Sequence, residues 1–416
     1  MTTQLRPARD AGALDAAPIR VALVYPWYGE HLGYIENCLP VALASLGADV
    51  HLITSDLQPG FASPQYATVY EPLLGPAVQP TGVRLRDGYT HHRLPHVLYG
   101  KHVGVRGLSA ALRRLRPDVV QTSSPTSAIS LEAALLRPWL GYRLFTGNHQ
   151  CASTLTRREG IVNVVRRAVG RAARFAPGRA IALLSDGCFA VTDDAAELAV
   201  RVYGVPASKV SVSPLGVDTS CFHPSSSRAE ERERERVRTE LGVDAGDVLC
   251  IYTGRMTEQK NPLLLAQAVA ALRERGLPFR GVFIGGGAQA EAVAAVPGNR
   301  KLPYLPYREL PAFYRAADIA VWPAQESSSQ ADAIACGLPT ILSDQVRKQE
   351  LFDAGAVPYR CGDLEELTRT LLSLAEPGAR LARRGLAEAA VDAMSWRAVA
   401  ERRLREFRRS AERPRR

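Results

Sequence analysis

Nowhere in this chain do about 18 uncharged apolar residues follow one another, the minimum for a membrane-crossing helix. The first 18 residues, MTTQLRPARDAGALDAAP, also lack the apolar core of a secretory signal. A cytoplasmic, non-spanning protein is expected. Seven cysteines (Cys38, Cys151, Cys188, Cys221, Cys250, Cys336, Cys361) are odd in number, scattered and without a CxxC pair, so neither a disulfide framework nor a zinc knuckle is suggested. No metal is expected. Aromatic residues are few, 7%, and none interleave with the basic runs in the way that single-strand nucleic-acid binders require. The net charge of +10 comes from two stretches, Arg157 to Arg179 (net +6) and Glu401 to Arg416 (net +5), and the remainder is close to neutral. Nucleic acid is therefore not an expected partner.

What is present is material for two α/β domains: 416 residues, 46% hydrophobic and 23% charged. The run RVALVY (20 to 25) is followed by a glycine-containing loop, a helical segment from Glu36 to Leu46 and a second strand, DVHLIT (49 to 54). This is one βαβ unit, which implies a parallel sheet with a crevice at the strand C-termini. Further strands fit 118 to 121, 142 to 146 and 188 to 192, with helices at 107 to 115 and 160 to 176. The charged segment Ser227 to Leu241 reads as a surface helix supported by Glu–Arg pairs, among them Glu230/Arg234 and Glu235/Arg238. From Val248 the pattern restarts. Strands are expected at 248 to 253, 280 to 284, 302 to 305, 318 to 322 and 340 to 342, and helices at 262 to 275, 309 to 316, about 330 to 336 and 396 to 409. The organisation expected is a disordered tail (1–18), a first Rossmann-like domain (19–216), a second (217–395) and a C-terminal helix that crosses back and ends in a basic tail (396–416).

The chemistry-bearing residues cluster in the second half. Strand 248 to 253 runs into Gly254 and Arg255, and Lys260 follows five residues later. A glycine at a strand exit permits close backbone approach, and two cations on one loop can reach one diphosphate. Solvated surface charges are the alternative. VFIGGG, with Gly286 at its centre, places glycines after an apolar strand, where either a phosphate site or a tight turn fits. Beyond lie Tyr307, the loop Gln325-Glu326-Ser327-Ser328-Ser329 and Asp332, which is followed by AIACGLPTI. Two carboxylates at a strand end and a helix start can accept hydrogen bonds from ribose or sugar hydroxyls.

In order, GEHLGYIENCLPVALASLGADVHLIT, SVSPLGVDTSCFHP, YTGRMTEQKNPLLLAQAV, VFIGGG, YLPYRELPAFYRAADIAVWPAQES and DAIACGLPTILSD resemble the family 4 glycosyltransferases of the GT-B fold. The resemblance implies two Rossmann-like doubly wound domains facing a central cleft. It also implies retaining transfer from a nucleotide diphosphate sugar of UDP or GDP type, without a cofactor or bound metal. Arg255 and Lys260 match the pair that holds the donor diphosphate, Asp332 the acid that takes the ribose hydroxyls and Glu326 the acid near the donor sugar. Gly254, Gly286, Tyr307, Ser328 and Ser329 fall on the donor side. Gly29 and Gly33 match the loop that brings backbone near the donor phosphate, and His149 resembles the histidine facing the transferred sugar. The acidic loop departs from the pattern. Asp332 lies six residues after Glu326 where the family has eight, so the loop is two residues short.

Tyr25, Trp27 and Tyr28 could form an acceptor platform or pack in the core, and His31 is a weaker site candidate. The acceptor is open: a sugar, a lipid-linked molecule or a small molecule. Arginines and apolar residues between Arg157 and Arg179 fit either a domain helix or peripheral contact with an anionic membrane. A nucleotide-sugar epimerase and a non-catalytic nucleotide-sugar binder share the scaffold and stand as alternatives.

Overall fold

Short aliphatic runs such as Arg20–Tyr25 and Val248–Thr253 are buried almost throughout, as parallel strands covered by helices on both faces must be. In the computed structural model, which describes residues 18–100, 102–150 and 174–412, such runs build two sheets. The N-terminal strands are β1 (Arg20–Tyr25), β2 (Asp49–Ser55), β3 (Gly82–Arg86), β4 (Tyr89–Leu94), β5 (His96–Tyr99), β6 (His102–Val105), β7 (Val119–Thr122), β8 (Arg143–Asn148), β9 (Gly187–Ala190) and β10 (Val210–Val212). Eight of them form a sheet in the order β10-β9-β8-β7-β1-β2-β4-β3, parallel except for the β3–β4 hairpin, while β5 and β6 pair separately. The C-terminal strands are β11 (Val248–Thr253), β12 (Phe279–Ile284), β13 (Asn299–Leu302), β14 (Ile319–Trp322), β15 (Thr340–Ser343) and β16 (Val357–Tyr359). They lie in the order β13-β12-β11-β14-β15-β16, all parallel.

In each sheet the order reverses at the first strand. β1 sits between β7 and β2, and β11 between β12 and β14. Connections that leave such a pair in opposite directions open a crevice at the strand C-termini. The loops after β8, β11, β14 and β15 accordingly meet around one cavity, to which they contribute His149, Arg255, Glu326 and Lys348. These are two doubly wound Rossmann-like domains with a cleft between them, the arrangement of the GT-B fold.

The chain crosses between the domains near Val217. Its N–H donates to the Met394 carbonyl at 2.9 Å, and the Trp396 N–H donates back to its carbonyl at 3.0 Å. Gly216 leaves no room for a side chain there, since a Cβ would sit 2.6 Å from the Trp396 nitrogen. The helix Trp396–Glu412 then packs Val399, Leu404 and Phe407 with Leu39 and Leu43 of the helix Ile35–Ser45, in a core shared with the N-terminal sheet. Arg403 on this helix is 1% exposed. It is tolerated because Nη1 donates to Gln121 Oε1 at 2.7 Å and the guanidinium stands 4.7 Å from the Phe189 ring centroid.

Two expectations need correction. The strand placed at 302 to 305 is Asn299–Leu302, because Pro303 has no N–H to continue a ladder. The helix Arg228–Leu241 forms, capped by the Ser227 side chain, but its arginines do not chiefly pair within it. Arg238 donates to the Ala316 carbonyl and Asp318 Oδ2, both at 2.9 Å, and to the carbonyls of Asp244 and Asp247. Arg315 reaches Glu233 at 2.9 Å. The charges therefore fasten the helix to its neighbours rather than to itself. Residues 1–17, most of the helix expected at 160 to 176 and the last four residues of the basic tail lie outside the described residues.

Arg238→Ala would remove the buried guanidinium that pairs with Asp318, which keeps the Leu249 N–H, and would leave the carbonyls of Ala316 and Asp247 without their donor. A loss of about 3–5 kcal/mol in urea denaturation is expected; a change below about 0.5 kcal/mol, the usual size for a surface substitution, would refute this role.

Candidate functional site

At the end of β11 the backbone turns through Gly254 with φ 133°, and at the end of β12 through Gly285 and Gly287 with φ 141° and 142°. The two exits are joined. Gly254 N–H donates to the Ile284 carbonyl at 2.9 Å and Met256 N–H to the Gly286 carbonyl at 2.8 Å. A Cβ on Gly285 would lie 2.0 Å from the Gly254 carbonyl oxygen, and one on Gly287 would lie 2.6 Å from that of Met256. The three glycines thus serve the packing of one loop on another. Gly286 itself lies beneath Tyr304, whose hydroxyl donates to its carbonyl at 3.5 Å, and it does not line the cleft. A Cβ on Gly286 would meet Val69 of the N-terminal domain at 3.4 Å.

This packing presents Arg255, which is exposed and has no carboxylate partner among the described residues. Lys260 is more recessed. Its Nζ donates to the Glu326 carbonyl at 2.8 Å. Burial, helped by the charges of Arg255 and Lys348, lowers its pKa to about 8. The acidic loop between β14 and the helix Ser329–Ala335 is held a second time, since Lys348 Nζ donates to the Ser327 carbonyl at 3.2 Å. The Glu326 carboxylate accepts from the Arg347 N–H at 3.3 Å. Ser328 lines the cleft on every side, and Ser329 opens the helix.

Asp332 is 3% exposed, and its Oδ1 accepts from the Tyr307 hydroxyl at 3.1 Å. Burial raises its pKa to about 8, against the lowering effect of that hydrogen bond. It is a neutral carboxyl at pH 7. Tyr307 in turn joins the domains. Its N–H donates to the His31 carbonyl at 2.9 Å, and its ring fills the space above Gly33, where a Cβ would come within 2.2 Å. Gly33 thus makes room for Tyr307, and it also lines the cleft.

From the N-terminal domain His149 follows β8. Burial, with the Arg403 charge behind it, lowers its pKa to about 4, so the imidazole is neutral. A cavity of about 290 Å³ brings it together with Arg255, Lys260, Glu326, Ser328 and Lys348. A wider one of about 1120 Å³ joins His149, Ser328 and Asp332 to Tyr25, Trp27 and Glu36. Gly29 lies outside these linings, its carbonyl accepting from Asn37 Nδ2 at 2.8 Å in a turn. Tyr28 leaves the suggested acceptor platform too, buried against His91 and Tyr89. Tyr25 is 2% exposed, so only Trp27 offers an open ring face.

Lys348, Arg402, Tyr304 and Glu36 were not singled out from the sequence. The loop after β15 carries no motif, although its position at a strand exit beside β14 would have marked Lys348. Glu36 is 3% exposed, and burial lifts its carboxyl to about 7. Among the described residues no three His, Cys, Asp or Glu side chains converge as metal ligands. Clustered cations opposite a neutral imidazole, with hydroxyls between them, suit a diphosphate joined to an uncharged polar group.

A profile described as Glycosyltransferase Family 4 matches residues 41–220, and one described as Glycosyl transferases group 1 matches residues 247–376. The chain belongs to the family 4 glycosyltransferases. A D-inositol 3-phosphate glycosyltransferase of Segniliparus rotundus is 26% identical over 81% of this chain and 76% of its own length. One from Xylanimonas cellulosilytica is 32% identical over 38% of this chain and 40% of its own length. Spore coat protein SA of Bacillus subtilis is 27% identical over 47% and 57%. The matches to the first relatives thus span roughly half of their length, 40% to 57%. Among solved structures, sucrose-phosphate synthase from Thermosynechococcus elongatus superposes with a TM-score of 0.70 at 17% identity, covering 94% of this chain and 99% of that one. Anabaena HepE in complex with UDP gives 0.64 at 14%, covering 94% and 100%. Such low identities speak for the GT-B fold of this family member and for nothing finer.

The buried Asp332 carries a pH signature. Folded, it keeps its proton up to about pH 8, whereas unfolded it loses it near 3.9. The folded chain binds more protons across that window, so this residue's contribution to stability falls as pH rises from about 4 to 8. Asp332→Asn removes the ionisation. Denaturation midpoints at pH 5 and pH 8 should lie closer together in the variant than in the parent, and an unchanged gap would contradict the buried neutral carboxyl.

Proposed function

We propose that the chain transfers a glycosyl group from a nucleoside-diphosphate sugar to a hydroxyl-bearing acceptor, with retention of anomeric configuration. The observation that carries this reading is the convergence of Arg255 and Lys260 on the narrow cavity that His149 closes from the other domain. The anomeric C–O bond to the diphosphate breaks, the bond to the acceptor oxygen forms, and the acceptor's hydroxyl proton leaves with the diphosphate. Arg255 and Lys260 hold the departing anion, a fixed electrostatic contribution worth several kcal/mol in a dry site. Neutral His149 faces the transferred sugar as a hydrogen-bonding group. Positive charge for the diphosphate comes from side chains, and no metal enters the scheme.

Uridine is the first base to test, because HepE was solved with UDP and with UDP-glucose, while a plant starch synthase was solved with ADP. D-inositol 3-phosphate, named for several relatives, is the first acceptor to test. Arg255→Ala and Lys260→Ala should each lower transfer by roughly 10²–10³-fold with little change in melting temperature. Near-normal turnover in either variant would sink the assignment. Nucleotide binding without release of a nucleoside diphosphate for any acceptor would favour a non-catalytic binder. Epimerised nucleotide sugar in the absence of acceptor would favour an epimerase.

A lipid-linked acceptor has one structural observation in its favour. On the helix Ala128–Leu140, Leu131, Leu135 and Trp139 recur every four residues and are 42%, 52% and 79% exposed, and Leu131 also lines the wide cavity. Such a stripe suits the surface of a bilayer, and Arg174, which lines the same cavity as Leu131, suits an anionic one. No helix among the described residues is long and apolar enough to cross a membrane, so contact would be peripheral. Flotation with phosphatidylglycerol vesicles should fall several-fold in a Leu135→Ser/Trp139→Ser double variant; equal flotation of both proteins, or none for the parent at low salt, removes this reading.

A further inference from the structure

We propose that Lys348 is a third cation for the donor's diphosphate and, at the same time, the clamp that holds the shortened acidic loop. The inference rests on the donor-binding reading above and concerns a residue that reading does not use.

Lys348 leaves β15, the strand next to β14, so its loop runs beside the one that carries Glu326. Its Nζ donates to the Ser327 carbonyl at 3.2 Å, while Lys260 Nζ donates at 2.8 Å to the carbonyl of the residue before it. Two ammonium groups therefore grip consecutive carbonyls of a loop that is two residues shorter than the family pattern. An ammonium carries three N–H donors, so holding a carbonyl is compatible with facing a phosphate oxygen across the cavity that Lys348 lines. The choice of lysine is notable in a chain that has 52 basic residues and only five lysines. Lysine's ammonium is a compact point charge whose donors rotate freely, so it can hold a carbonyl and still face an anion.

Charge balance points the same way. Among the described residues the narrow cavity is lined by Arg255, Lys260, Lys348 and Arg402 against Glu326 and Glu350, a net charge of +2 when all are ionised. A nucleoside-diphosphate sugar carries two negative charges on its pyrophosphate. Like charges gathered in a recessed place repel: burial first, and then the charges of Arg255 and Lys348, depress the pKa of Lys260. A diphosphate bound between them relieves that repulsion.

The test uses the full chain and three probes: uridine, UMP and UDP, with GDP and ADP in place of UDP if either of those binds better. Lys348→Met should weaken diphosphate binding about tenfold or more in calorimetry while leaving nucleoside binding unchanged, so that the preference for diphosphate over nucleoside shrinks. Lys348→Arg should restore part of the loss. The weakening of diphosphate binding above about pH 8, set by Lys260, should also move to higher pH in Lys348→Met, because one of the charges that depress Lys260 is gone. Unchanged diphosphate affinity and an unmoved pH profile in Lys348→Met, with Arg255→Ala still abolishing binding, would overturn the inference and leave the function standing. Loss of affinity for all three probes together, accompanied by a lower melting temperature, would make Lys348 a structural clamp only and equally overturn the diphosphate role. If Lys348→Met does not fold, Lys348→Gln offers a neutral hydrogen-bonding replacement to which the same outcomes apply. Failure of the parent to bind any nucleoside diphosphate would instead strike the function itself.

Discussion

The site depends on how closely two pieces of backbone can approach. The exits of β11 and β12 lie so near each other that Gly285 has no room for even a methyl group beside the Gly254 carbonyl. Hydrogen bonds between the two loops lock that approach. Because the loop after β11 is fixed at its base, Arg255 and Lys260 leave it in set directions, and Lys260 reaches the carbonyl of Glu326 across the gap to β14. A side chain at Gly285 would therefore be felt first at the two cations. The left-handed φ at these glycines comes from the same demand for closeness.

Two of the buried polar groups around the cleft, Asp332 and His149, are driven by burial toward their uncharged forms. Asp332 is kept protonated by burial and receives the Tyr307 hydroxyl, and Tyr307 reaches across to His31 and Gly33. His149 is kept neutral with the help of Arg403, a buried cation delivered by the returning C-terminal helix. The crossing helix therefore does more than close the N-terminal core. Its Arg403 adds to the burial that keeps His149 neutral, and it brings Arg402 to the same cavity. Domain connection and site electrostatics are one construction.

The architecture was legible because strand exits announce themselves. An apolar run ending in glycine marks Gly254, Arg255 and Lys260 as candidates, and the ordered resemblance to the family 4 pattern adds Asp332. What could not be read is equally specific. The glycines of VFIGGG look alike whether they cradle a phosphate or admit a neighbouring loop, since both need positive φ, and only the contact with Gly254 and Met256 decides. Tyr28 and Trp27 are adjacent aromatics in sequence, yet one is buried against His91 and the other is exposed, a distinction made by the β3–β4 hairpin. The helix Ala128–Leu140 went unseen because an exposed apolar stripe and an internal Pro138 blur its periodicity. Lys348 was missed for want of any motif around it. Its partner is a carbonyl oxygen, and a carbonyl has no identity in a sequence.

That last point explains how a shortened loop can still form a site. In a loop whose side chains position the ligand, losing two residues moves every contact. Here the loop between β14 and the helix Ser329–Ala335 is fixed through its backbone, by ammonium groups on Glu326 and Ser327 and by the Arg347 N–H on the Glu326 carboxylate. Backbone carbonyls recur at every residue, so lysines that grip them tolerate a change of register that side-chain partners would not. The cost is electrostatic, because the clamps are cations placed together in a recessed cavity. A fold that gathers positive charge to hold its own backbone has, by the same act, prepared a place for an anion.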